Sequence, residues 1–149
     1  MTTQIQIDGE IFQNTIKILK DLISFQTESG KSNLELIDYC ELKLKDSGAS
    51  SLKTFNNSKT QANLFSTIKG ENPHDVGIIL SGHTDVVPAI ASEWVSDPYL
   101  LREKGDKLYG RGTCDMKGFI ACTLAVAPLF ASSKLKKPIH FSYTFDEET

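Results

Sequence analysis

Three clusters in this chain carry side chains that can bind a metal ion or move a proton. Residues 81–85 read Ser-Gly-His-Thr-Asp, residues 110–118 read Gly-Arg-Gly-Thr-Cys-Asp-Met-Lys-Gly, and residues 146–148 read Asp-Glu-Glu. One imidazole and several carboxylates form a ligand set that zinc accepts. If the three clusters converge in the fold, the sequence predicts metal-assisted hydrolysis.

Spacing within the clusters suggests how their side chains divide the work. Asp85 lies two residues after His83 and can point back to the second N–H of the imidazole, which fixes the tautomer of a ligating histidine. A carboxylate such as Asp115 can bridge two metals about 3.5–4 Å apart. Adjacent Glu147 and Glu148 can separate two roles, one binding metal while its neighbour moves a proton.

Each cluster taken alone has an ordinary structural interpretation. A His-x-Asp pair is more often a turn, a glutamate pair is usually a solvated acidic patch, and Gly-x-Gly is usually a tight turn. We interpret His74 and His140 as structural, and Cys114 as a small core thiol because no histidine lies close in sequence to activate it. The phosphate-cradling pattern G-x-x-x-x-G-K-[ST] does not occur in the sequence.

The elements expected to position these clusters alternate between helices and strands. Helical periodicity predicts a first helix over Glu10–Phe25 and a second from a Ser32/Glu35 capping box to Gly48. Short strands are predicted at Ser51–Phe55 and Asn63–Ile68, joined through a turn at residues 56–57.

The second half of the chain continues the alternation. The apolar run Val76–Leu80 predicts a strand buried on both faces, and residues 94–109 predict a loop followed by a small hairpin. Met116–Phe130 predicts a buried helix that ends or kinks near Pro128. Alternation over residues 139–145 predicts a final strand. The fold class is therefore α/β, a mixed sheet flanked by helices, with two clusters beyond strand ends and the third opening a helix.

Composition describes an ordinary globular domain and argues against several classes of partner. Apolar residues make up 40% and charged residues 23% of 149 residues, and the formal net charge is −3. We therefore expect no nucleic acid as a partner. We also expect no membrane, because no apolar stretch approaches the length of a membrane span. Residues 1–9 lack the pattern of a signal peptide. Three cysteines at unrelated spacings favour reduced thiols in a cytoplasmic protein.

The three clusters together resemble the signatures of one family. The runs LSGHTDVVP (80–88), GDKLYGRGTCDMKG (105–118) and FDEET (145–149) are similar to those of the di-zinc amidohydrolases and metallopeptidases, which include acetylornithine deacetylases, succinyl-diaminopimelate desuccinylases and aminoacylases. The resemblance implies the N-terminal part of a zinc-aminopeptidase-like catalytic domain over residues 1–149. Residues 94–99 and 135–138 look most like the acetylornithine deacetylases.

The resemblance also implies a role for each site residue. His83 looks like a ligand of one zinc, Glu148 a ligand of the other, and Asp115 the bridge between them. Glu147 looks like the general base, and Asp85 looks like the group that orients His83. The implied cofactor is two zinc ions in the complete enzyme, which cobalt can replace. The family pattern further implies a cis peptide between Asp115 and Met116.

The activity implied is hydrolysis of an N-acyl amino acid, most simply N-acetylornithine to ornithine and acetate in arginine biosynthesis. Desuccinylation of succinyl-diaminopimelate, or another N-acyl amino acid substrate, is the alternative. A non-catalytic metal-binding fragment is the alternative from another class. The family's later carboxylate, its late histidine and its dimerisation domain have no counterpart in residues 1–149, so we expect a partial catalytic domain. It would be inactive alone, homodimeric when full length, and open along its final strand.

Overall fold

The computed structural model describes residues 9–72 and 76–149. The expectation that residues 1–9 lack a signal peptide concerns residues outside these ranges, apart from Gly9. His74, interpreted as structural, also lies outside them. Within the described ranges the elements follow the predicted order, with one 3-10 turn at Ala91–Glu93. They are α1 (Gly9–Ser24), α2 (Leu34–Asp46), β1 (Ser50–Phe55), β2 (Ala62–Ile68), β3 (Ile78–His83), β4 (Arg102–Lys104), β5 (Lys107–Tyr109), α3 (Lys117–Ser132) and β6 (Ile139–Thr144).

Four strands form a mixed sheet in the order β1-β2-β6-β3. Strands β1, β2 and β6 pair antiparallel, whereas β3 runs parallel to β6. Helix α2 contacts β1 and β2, α3 contacts β3, and α1 packs against α3. The predicted α/β class with a mixed sheet and flanking helices is confirmed, and β4 and β5 form the predicted small hairpin.

Strand β6 lies in the middle of the sheet. Its inward residues Phe141 and Tyr143 are fully buried, as the alternation predicted. The expectation that the final strand would present an open edge is wrong. Strand β2 pairs with one side of β6 and β3 with the other, so both of its edges are hydrogen-bonded.

Strand β3 corrects a second expectation. The strand begins at Ile78 and ends at His83, later than the predicted Val76–Leu80. Burial on both faces is also wrong, because Ile78 and Ile79 are 61% and 57% exposed. The reason is position: β3 is the last strand in the sheet order, and an apolar run is buried only where other elements cover it.

Two helix termini differ from the sequence prediction. The N-cap of α2 is Asn33 and makes no capping hydrogen bond, so the Ser32/Glu35 capping box is not formed. Gly48 does follow the end of α2 in the left-handed region, with φ of 79°. Helix α3 passes through Pro128 and continues to Ser132. Burial of its apolar side chains offsets the cost of about 3 kcal/mol for an internal proline.

Among the described residues, no helix combines the length and apolar character needed to cross a membrane.

Candidate metal centre

Strand topology brings the first and third clusters together. Strands β3 and β6 are parallel and in register, with His83 opposite Thr144, so both end at the same edge of the sheet. His83 closes β3, and residues 146–148 follow β6 after one intervening residue, Phe145. Asp115 lies two residues before α3, and the sulfur of its neighbour Met116 accepts the His83 amide, which places the start of α3 beside the end of β3. This arrangement is the one expected for ligand sites of α/β sheets.

The three predicted metal ligands converge. His83, Asp115 and Glu148 each offer one ligand atom, and these atoms lie within 4.8 Å of one another. The Nε2 atom of His83 is 3.0 Å from Oδ1 of Asp115 and 3.8 Å from Oε2 of Glu147. The predicted convergence is confirmed, whereas the assignment of these residues as metal ligands stays a prediction.

The imidazole of His83 makes its Nδ1 hydrogen bond to the main-chain carbonyl of Asp85, and not to the Asp85 carboxylate as predicted. Nδ1 lies 3.0 Å from the Asp85 carbonyl oxygen, and the Asp85 carboxylate is 3.5 Å away. With Nδ1–H donating to that carbonyl, Nε2 faces Asp115. Burial lowers the pKa of His83, but the hydrogen bonds to Asp85 and Asp115 and the charges of Asp85 and Glu147 outweigh it and raise the pKa.

The Asp85 carboxylate serves a different set of donors. It accepts hydrogen bonds from the Ser29 hydroxyl at 2.7 Å and from the main-chain amides of Glu147 and Glu148 at 3.1 and 3.0 Å. Burial raises the pKa of Asp85, but these three hydrogen bonds together lower it below its usual value. The residue predicted to orient His83 therefore also holds the segment that carries both glutamates.

Asp146 anchors the same segment from its other end. Its backbone lies in the left-handed region, with φ of 54°. Its Oδ1 accepts hydrogen bonds from the Gly30 amide at 2.8 Å and from Nε2 of Gln61 at 2.6 Å. Both donors come from parts of the chain that precede β2, so distant segments set the conformation after β6.

Contacts of Met116 and of a buried lysine hold the segment at the start of α3. The Asp115–Met116 peptide is cis, as predicted. The sulfur of Met116 accepts the amide of His83 at 3.3 Å. Lys117 is fully buried and donates to the Phe25 carbonyl at 2.6 Å. Desolvation by this burial lowers the pKa of Lys117 to about 8.

One side of the site is open to solvent. The side chains of His83 and Asp85 are 6% and 3% exposed, but those of Asp115 and Glu147 are 72% and 63% exposed. A cation or a substrate can therefore approach the carboxylates directly. The buried half supplies fixed geometry, and the exposed half supplies the groups that would meet a ligand.

The structure corrects one residue interpretation and supplies several that the sequence did not reveal. Cys114 is exposed, so the expectation of a core thiol is wrong. His140 donates to or accepts from Thr67 at 2.9 Å and stacks on Phe65, in keeping with its structural interpretation. The residues missed were Ser29, Gly30, Asn33, Gln61 and Lys117, whose partners are far away in sequence.

Comparison with known proteins places this geometry in context. Residues 79–149 match the model of peptidase family M20/M25/M40. Acetylornithine deacetylase of Yersinia pestis is 47% identical over 90 residues, and that of Salmonella arizonae is 42% identical over 87 residues. Each alignment covers 58% of this chain and 23% of the relative, so the chain matches about a quarter of these relatives.

Solved structures share the fold. Human carnosine dipeptidase 1 matches with a TM-score of 0.75 at 23% identity, covering 93% of this chain and 34% of that one. The M20 family metallo-carboxypeptidase Sso-CP2 from Sulfolobus solfataricus matches with a TM-score of 0.76 at 21% identity, covering 95% and 32%. This chain therefore shares its fold with about a third of each of these two proteins, in keeping with the fold that the family resemblance implied.

Proposed function

We propose that this chain carries part of the active site of a metal-dependent amidohydrolase of peptidase family M20/M25/M40, whose model residues 79–149 match. The observation that carries the proposal is the convergence of His83, Asp115 and Glu148 beside Glu147. One imidazole and two carboxylates, open to solvent on one side, are the donors that a catalytic divalent metal requires.

The residues present fit a divalent cation of intermediate softness. A nitrogen ligand favours zinc or cobalt over calcium, and the carboxylates supply compensating charge. We propose zinc, with cobalt as a replacement. Two zinc ions sharing Asp115, as the family resemblance implies, would need ligands in addition to His83 and Glu148.

The side chains divide the catalytic work as follows. A divalent metal bound there would polarise the acyl carbonyl and lower the pKa of a water molecule toward about 7. Glu147 is exposed and lies beside His83, so it can accept a proton from the attacking water and return it to the departing amine. Asp85 fixes the imidazole through its carbonyl and the glutamate amides through its carboxylate.

The substrate proposed is N-acetylornithine, giving ornithine and acetate in arginine biosynthesis. Support comes from the acetylornithine deacetylases that match at 42–47% identity. We further propose a cytoplasmic, homodimeric enzyme in the full-length form. Succinyl-diaminopimelate and other N-acyl amino acids are the alternative substrates. Residues that contact the acyl group and the amino acid side chain decide between such substrates.

Metal binding tests the proposal most directly. The chain is titrated with Zn²⁺ and Co²⁺ by calorimetry, together with Glu147→Gln, Glu148→Gln and, as a matched control, the exposed Glu103→Gln. We expect Glu148→Gln to lose metal, whereas Glu147→Gln and Glu103→Gln keep it. Equal loss in Glu147→Gln and Glu148→Gln would contradict the division of roles, and no binding by the unchanged chain would contradict the metal centre.

An activity assay then separates an enzyme from a metal-binding fragment. Release of free amine from N-acetylornithine is followed at saturating zinc, for this chain and for a longer protein that contains it. Since only three ligands converge among the described residues, we expect turnover only in the longer protein, where Glu147→Gln would lower it by about a hundredfold to ten-thousandfold. Turnover by this chain alone near 10 per second would contradict that expectation.

A further inference from the structure

The connector between α1 and α2, residues 25–33, touches all three segments that carry the candidate ligands. Its Phe25 carbonyl accepts the Lys117 ammonium beside Asp115. Thr27 binds the segment after β3. Its hydroxyl donates to the Thr84 carbonyl at 2.5 Å, and its carbonyl accepts a hydrogen bond from the Val86 amide at 3.0 Å. None of the three motifs that carry the candidate ligands includes this connector, yet it contacts all three ligand-bearing segments.

Within the connector, Ser29 binds the carboxylate that also accepts both glutamate amides. Its hydroxyl donates to Oδ2 of Asp85 at 2.7 Å. The same oxygen accepts the Glu148 amide at 3.0 Å, and Oδ1 accepts the Glu147 amide at 3.1 Å. Asp85 is almost fully buried, so its carboxylate has few other ways to be solvated. The Ser29 hydroxyl therefore binds the Asp85 carboxylate in the orientation in which it receives both amides.

The next residue of the connector secures the other end of the glutamate segment. The Gly30 amide donates to Asp146, whose left-handed backbone turns the chain just before Glu147. Gly30 itself has φ of 80°, a conformation that glycine adopts without strain. Neighbouring residues Ser29 and Gly30 thus bind the two aspartates that hold Glu147 and Glu148 in place.

We propose that Ser29 is a positioning residue for the paired glutamates. Its hydroxyl binds the Asp85 carboxylate, and that carboxylate accepts the amides of Glu147 and Glu148. In this way Ser29 fixes the main chain of both glutamates beside His83. The consequence for metal binding rests on the proposed function, but the positioning itself can be measured without any metal. Residues that hold metal ligands in place typically change affinity by about 10- to 100-fold when removed.

The primary test is amide hydrogen exchange by NMR on the full chain, with no metal added. We compare Ser29→Ala with Ser32→Ala, a control on the same connector whose hydroxyl contacts the Leu34 amide at 3.4 Å. We expect Ser29→Ala to accelerate exchange at Glu147 and Glu148 about tenfold or more, with Phe141 in β6 unchanged. Ser32→Ala should change neither. Unchanged exchange at both glutamates in Ser29→Ala overturns the proposal.

A second pair of variants separates positioning from general stability. Ser29→Thr and Ser29→Val have the same shape and differ only in the hydroxyl. We expect Ser29→Thr to restore slow exchange at the glutamates and Ser29→Val to resemble Ser29→Ala. Equal exchange in the Thr and Val variants overturns the proposal. Acceleration throughout the chain, Phe141 included, in both hydroxyl-free variants also overturns it, since Ser29 would then serve overall stability.

Cobalt titration connects the positioning to the proposed function and distinguishes their failures. We expect Ser29→Ala and Ser29→Val to weaken Co²⁺ binding about tenfold, with Ser29→Thr and Ser32→Ala unchanged. If the unchanged chain does not bind Co²⁺, the proposed function fails, and hydrogen exchange alone decides the role of Ser29. If the unchanged chain binds Co²⁺ and the hydroxyl-free variants bind equally well, the role of Ser29 at the metal centre is overturned.

Discussion

The two ends of β3 differ in a way that hydrophobicity alone would not predict. At its beginning, Ile78 and Ile79 are apolar and mostly exposed. At its end, Gly82 and His83 are buried, and the polar residues Thr84 and Asp85 that follow are buried as well. Within one strand and the turn after it, apolar side chains face solvent while polar ones are enclosed.

Covering elements account for the difference. Helix α3 lies over the end of β3, where a side chain at Gly82 would stand 3.2 Å from Met116 and 3.3 Å from Phe119. The connector covers the turn and supplies hydrogen bonds to the buried polar groups. Burial of polar groups is tolerated where such partners exist. The start of β3 has β6 on one side and lacks an equivalent cover among the described residues.

Removing the buried carboxylate should have the largest effect. Asp85→Ala leaves three donors without an acceptor, at about 1–3 kcal/mol each, and we expect the free energy of unfolding in urea to fall by about 3–5 kcal/mol. The matched change Asp115→Ala removes an exposed carboxylate whose one partner is His83, and it should lower stability by only about 1 kcal/mol. Similar losses in the two variants would show that the enclosed and exposed halves of the site do not differ energetically.

The buried Lys117 should make stability depend on alkaline pH. Its pKa of about 8 in the folded chain lies below 10.5 in the unfolded chain, so the unfolded state binds more protons between these values. Stability from this group therefore rises with pH across that window, by about 2 kcal/mol between pH 7.5 and 9.5.

Lys117→Met isolates that contribution, because the burial that raises the pKa of Cys40 and the pKa of Tyr143 is common to both proteins. Urea unfolding at pH 7.5 and 9.5 gives the change for each protein, and the unchanged chain should gain about 2 kcal/mol relative to the variant. A difference near zero would place the lysine in contact with water, contrary to its enclosure behind the site.

The exposed start of β3 should show the smallest effect. Ile79→Thr preserves the β-branched shape and should change the free energy of unfolding by less than about 1 kcal/mol. The control Ile120→Thr, in the fully buried part of α3 over the end of β3, should cost at least about 2 kcal/mol. Equal costs in thermal or urea unfolding would remove the contrast between the two ends.

Local patterns in the sequence determined most elements and the identity of the candidate site. The helical periodicity that predicted α2 and the alternation over residues 139–145 agree with the observed burial, in which Cys40, Phe141 and Tyr143 are fully enclosed. Such periods report the geometry of a few neighbouring residues, which the sequence contains directly. The three motifs supplied His83, Asp115 and Glu148 because their order and spacing resemble one family, and their convergence followed from strand ends.

Tertiary structure alone decided how that site is held. Ser29 and Asp85 are 56 residues apart, and Gly30 and Asp146 are 116 apart. Hydrogen bonds across such distances depend on how the connector packs against two strand ends, and no local period encodes that packing. The same holds for the exposure of Ile79, because the sheet order, and not the apolar run, places β3 at an edge. Side-chain type therefore specified the ligands, and the packing of distant segments specified their geometry.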